Sequence, residues 1–110
     1  MKTYAPGTDA EEAVAAHPGR PAISVMHDSP DARLVTFRIE PGQRVPPHTS
    51  VSTVILTVLS GSGTVTGGDE ERAVVAGDVV AYEPGEMHGM EAGDETLMIL
   101  ATIAPRPGSR

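Results

Sequence analysis

The stretch Gly42-Gln43-Arg44-Val45-Pro46-Pro47-His48-Thr49-Ser50 decides the fold, together with Ser52-Thr53-Val54-Ile55-Leu56-Thr57-Val58-Leu59 and the Gly61-Ser62-Gly63 that closes it. Pro46 and Pro47 hold the chain extended and withhold two backbone donors, so they belong neither to a helix nor to a central strand. The run after them is rich in β-branched residues and apolar on both faces, the pattern of a strand covered on both sides. The glycines beyond it make a tight turn. A second stretch is built alike: Gly77-Asp78-Val79-Val80-Ala81-Tyr82, then Pro84-Gly85-Glu86-Met87-His88. Each stretch delivers one histidine, and imidazole is both a common metal ligand and the side chain that titrates nearest neutrality. His48 and His88 are therefore the first candidates for function.

Working outward, Arg33 to Glu40 alternates, with Val35, Phe37 and Ile39 on one face and Leu34, Thr36 and Arg38 on the other. Ile23 to His27 alternates less cleanly before the turn cluster Asp28-Ser29-Pro30-Asp31. Thr64-Val65-Thr66 and Ala73-Val74-Val75 flank Gly67-Gly68, which supplies the positive φ angles of a two-residue hairpin. Thr96 to Ile103 is again apolar on both faces. Short strands with near-regular Gly and Pro punctuation predict an all-β sandwich or barrel. One short helix is expected near the start, capped by Thr8 or Asp9, running from Ala10 to Ala16 and stopped by Pro18-Gly19. The division that follows is an N-terminal segment over 1–20, a single β domain over 21–104 and a tail over 105–110.

A chain of 110 residues makes one domain. With Phe37, Tyr4 and Tyr82 as its only large aromatics, its core must be aliphatic. Fifteen acids against eight bases give a formal charge of −7, which repels nucleic acid over most of the surface. There is no cysteine, so thiolate chemistry and disulfides are excluded. The first residues lack the apolar run of a signal peptide, and no segment reaches the length of a membrane span. Those features set a cytoplasmic protein as the expectation.

The two histidine stretches resemble the paired motifs of the cupin superfamily. The first family motif is a glycine, five residues, His-x-His, three or four residues, Glu, six residues and a glycine. Gly42, His48, Ser50, Val54 and Gly61 fall on those positions. The second is a glycine, five residues, Pro-x-Gly, two residues and His; Gly77, Gly85 and His88 match it, with Glu83 standing in the proline position. The resemblance spans about residues 34 to 103 and implies an antiparallel jelly-roll barrel. It also implies a divalent metal held by four ligands, of which this chain keeps His48 and His88. Ser50 and Val54 stand where the second histidine and the glutamate would be, and neither replaces them: a neutral hydroxyl binds a divalent cation poorly and valine not at all.

Alternation places His48, Ser50, Ser52 and Val54 on one strand face, with His88 and Met90 together on another. These six are the candidate lining of a small-molecule pocket, mostly apolar with a few convergent polar groups. Two readings follow. The leading one is a small-molecule-binding cupin barrel of undetermined ligand, with or without one divalent metal (Zn, Ni, Fe, Mn or Cu) on His48 and His88. The alternative is a metal-dependent cupin enzyme, a dioxygenase or isomerase acting on a small organic acid, phenol or sugar, with water, Thr53, Glu83, Glu86 or His27 completing the metal site. A serine hydrolase is not supported, because no carboxylate is placed to orient His48 behind Ser50. Glu83 and Glu86 read as solvated turn residues, His17 as an exposed helix-end residue, and Met87 and Met90 as packing. A homodimer is expected, both from the resemblance and because Val51, Thr53, Ile55, Thr57 and Leu59 form an outer face too apolar for water.

Overall fold

Nine strands form two antiparallel sheets in the computed structural model, which describes residues 1–108. The first sheet runs β1 (Ala22–Asp28), β2 (Arg33–Ile39), β9 (Leu97–Ala104), β4 (Thr53–Ser60), β7 (Val79–Tyr82) in spatial order. The second runs β3 (Arg44–His48), β8 (His88–Ala92), β5 (Ser62–Gly67), β6 (Glu70–Val75). This is the expected all-β jelly roll, with two facing sheets and a short helix, α1 (Pro6–Glu12). Among the described residues, no helix is long and apolar enough to cross a membrane.

The core lies between the sheets and uses one residue in two, as the pleat requires. Val54, Leu56 and Val58 of β4 and Leu97, Ile99 and Ala101 of β9 meet Val65, Val74 and Met90 from the opposite sheet. β4 and β9 read as apolar on both faces; their inner residues are buried and their outer ones half-buried. The inner face meets the other sheet, while α1 packs across β1, β2, β9 and β4 on the outside. Pro46 and Pro47 sit on β3, an edge strand, at the point where its register to β8 is interrupted.

Two local expectations need correction. The helix starts at Pro6 and ends at Glu12, with Ala13 already extended, so Val14 to Ala16 are not helical. Pro6 at the first helical position fixes φ for helix entry. Asp9 is not a cap: its carboxylate accepts from Thr36 Oγ1 at 2.9 Å. Arg38 Nη1 then gathers the carbonyls of Ala10, Glu11 and Ala13 at 2.8–2.9 Å, which satisfies the helix end early. The second correction concerns the hairpin, whose two-residue loop is Gly68-Asp69, because Gly67 pairs with Glu70. Gly68 alone takes a positive φ there, of 61°, the pattern of a II′ turn.

Of the expected tail, Pro105 accepts from Ser52 Oγ and Arg106 N–H bonds the Pro30 carbonyl, so both are tied to the sandwich. Residues 109 and 110 lie outside the described residues.

Candidate functional site

β3 and β8 pair so that His48 and His88 are direct cross-strand partners. Their ring centroids are 4.2 Å apart, with the planes inclined at 60°. The register needs an irregularity between Val45 and His48, which the Pro46-Pro47 pair provides. It also needs Gly89. A Cβ there would stand 3.1 Å from both Pro47 N and Val45 O, closer than a backbone accommodates without yielding.

The two rings are oriented in the same way. His48 Nδ1 lies 3.0 Å from the Pro46 carbonyl, and His88 Nδ1 lies 3.2 Å from the Glu86 carbonyl. A carbonyl oxygen only accepts, so each Nδ1 must carry the proton and donate. Each Nε2 is then left with its lone pair. Two backbone carbonyls, each two residues upstream, thus fix both tautomers.

The environments differ. His48 is exposed and His88 is buried. Burial holds the pKa of His88 below the ordinary 6.5, and the neighbouring His48 acts in the same direction. The Glu86 carbonyl and carboxylate pull the other way and lose. The Tyr82 ring packs against His88, with its centroid 5.1 Å from that of the imidazole. Tyr82 comes from β7 in the other sheet, and its hydroxyl crosses to donate to the Thr66 carbonyl at 2.8 Å. Burial, with the Glu86 carboxylate adding to it, pushes the phenol up to about 12. Gly67 makes room for this ring, since a Cβ there would lie 3.3 Å from Tyr82 Cε1.

The six residues expected to line one pocket are only partly brought together. His48 and His88 converge. Ser50 is half-buried and its hydroxyl accepts from Ser52 N–H at 3.1 Å, while the Ser52 hydroxyl is committed to the Pro105 carbonyl. Val54 and Met90 belong to the packed core. Of the groups considered for completing a metal site, His27 is engaged with the Tyr4 hydroxyl at 2.8 Å, and the Glu86 carboxylate accepts from Glu83 N–H at 3.0 Å. Tyr82 was not among the candidates. Its only trace in the sequence is that it is an aromatic in an aliphatic chain, placed just ahead of the Pro84-Gly85 turn.

A family model described as "Cupin domain" matches residues 35–103. This chain belongs to the cupin family. Among solved structures, it is similar to a conserved protein with a double-stranded β-helix domain from Klebsiella pneumoniae. The two share 25% identity with a TM-score of 0.84, over 100% of this chain and 94% of that one. A similar RmlC-like cupin from Desulfovibrio desulfuricans has 29% identity and a TM-score of 0.79, over 96% and 97% of the two chains. KdgF from a Halomonas species, at 22% identity and a TM-score of 0.79 over 88% of each chain, shares the fold. No curated protein matches the sequence.

The donor set of this cupin does not fit a resident metal ion. Catalytic sites for such ions commonly offer three protein ligands and an open position. Here the pair offers two imidazole nitrogens and no carboxylate. Among the described residues, no group of three or more His, Cys, Asp or Glu side chains could hold an ion.

Proposed function

We propose that this cupin binds a small organic molecule through the paired imidazoles of His48 and His88, without needing a metal. One observation carries the reading: both Nδ1 atoms are spent on backbone carbonyls, so two adjacent Nε2 lone pairs stand ready for a hydroxyl or another hydrogen-bond donor. His48 is the exposed member of the pair and His88 the buried one, with the Tyr82 ring packed against it.

The reading is tested by titrating small phenols, organic acids and sugars into metal-free protein while following the histidine Cε1–Hε1 resonances. At least one class should move His48 and His88 together and saturably, leaving His17 and His27 still, and His48→Ala should abolish the response. The proposal fails if the pair responds only after metal is added. The Nδ1-to-carbonyl arrangement is also what metal-bound histidines use, so metal-dependent catalysis is the second reading. It requires about one ion per chain in untagged protein by elemental analysis, whereas our reading expects far less.

We further propose a homodimer. Val51 and Val79 are 78% and 61% exposed at the end of the outer sheet face that α1 leaves uncovered. Gel filtration should give a dimer that Ile55→Glu converts to a monomer. A monomeric parent chain would refute this.

A further inference from the structure

The seam between edge strands β1 and β3 holds a cleft of about 560 Å³, and we propose that it binds a small organic carboxylate with an apolar body. Its walls come from residues 16–21, which lead into β1, and from Gly42 to Pro46, which turn into β3. Ile23 shows why the cleft exists. It pairs with Phe37 in register and so belongs to the inner face of its sheet, yet it is 54% exposed because no strand of the other sheet lies opposite. Pro21, Ile23, Val45 and Pro46 together give the cleft an apolar wall.

The charge of the cleft runs against that of the molecule. His17, Arg20 and Arg44 line it and no carboxylate does, in a chain of formal charge −7. Arg33, Arg38, Arg72 and Arg106 each have a carboxylate partner. Among the described residues, Arg20 and Arg44 are the arginines without an ion pair. Glu91 faces Arg44 across the β3–β8 ladder but forms no ion pair with it. The opposite seam, between β6 and β7, makes the contrast. Its cleft of about 420 Å³ also contains an arginine, Arg72, but Glu70, Asp78 and Glu86 line it too. Of these two seams, the one between β1 and β3 therefore combines arginines free of ion pairs with apolar surface. Guanidinium forks match carboxylate geometry, and the adjoining apolar wall selects an anion that carries a hydrocarbon body. Neither His48 nor His88 lines this cleft, although Pro46 borders it and also orients His48; the proposal does not depend on the reading given to the pair.

The test is isothermal titration calorimetry of the full chain with octanoate, octanol and inorganic phosphate. Octanoate should saturate one site, with octanol and phosphate at least tenfold weaker. The double variant Arg20→Gln/Arg44→Gln should weaken octanoate at least tenfold, whereas Arg72→Gln should not alter it. Octanoate should also shift backbone amide resonances of residues 16–23 and 42–46 in the parent protein, a measurement independent of any variant. Phosphate binding as tight as octanoate would overturn the proposal. So would the absence of saturable octanoate binding, or an equal loss in Arg72→Gln.

Discussion

Replacing Tyr82 by alanine is expected to raise the pKa of His88, while replacing it by phenylalanine should leave that pKa in place. The reasoning rests on what lowers it: burial comes first, and the Tyr82 ring supplies one wall of that burial. Phenylalanine keeps the ring and loses only the hydroxyl bond to the Thr66 carbonyl. One such bond contributes about 1 kcal/mol net, equivalent to roughly 4–8 °C in Tm for a domain of about this size. Alanine removes a side chain that is only 3% exposed, at about 3–5 kcal/mol for an aromatic truncated in a core. It also lets water reach His88. Both effects can be read in one experiment, a pH titration of the histidine Cε1–Hε1 resonances alongside thermal unfolding. Tyr82→Leu, which retains more volume, serves if the alanine variant unfolds. An unchanged or lower His88 pKa on opening the site, or an equal rise with phenylalanine, would refute the account.

Other outcomes follow from the same geometry. His88 has its pKa lowered on folding, so the folded chain binds fewer protons than the unfolded one below pH 6.5. Its contribution is complete above that value and is lost as pH falls through the folded pKa; denaturant unfolding at several pH values should show a slope that His88→Gln flattens. Gly61→Ala would place a Cβ 1.8 Å from the Thr96 carbonyl at a φ of +81°. It should cost about 3 kcal/mol or more, among the large effects of single mutations, as read by denaturant midpoint. Arg38→Met removes three charge-assisted bonds to the helix end. Amide exchange should then rise across residues 5–13 while β4 and β9 stay protected, because their core packing does not involve Arg38.

The sequence was informative where one residue type has one physical meaning. Prolines 46 and 47 excluded a central strand there, and motif spacing placed His48 and His88 within reach of each other. Alternation in β2 separated the core face of Val35 and Ile39 from the face that holds Thr36 and Arg38. It was less informative where the outcome depends on a partner far along the chain. Asp9 looked like a helix cap until Thr36 claimed it, and the helix end was set by Arg38, 25 residues past Ala13. Ser52 alternated into the candidate pocket, but its hydroxyl is used by Pro105. The role of Tyr82, packing on His88 from the opposite sheet, has no local pattern in the sequence. The β1–β3 cleft was equally hidden, since Arg20 and Arg44 come to line one cleft only through the tertiary fold.

The most direct check of the central claim is a long-range proton–nitrogen NMR correlation of the histidine rings at neutral pH, combined with nuclear Overhauser measurements. The expected result is contacts between the ring protons of His48 and His88, with Nδ1 protonated and Nε2 bare on both. Rings without mutual contacts, or with the proton on Nε2, would contradict the account.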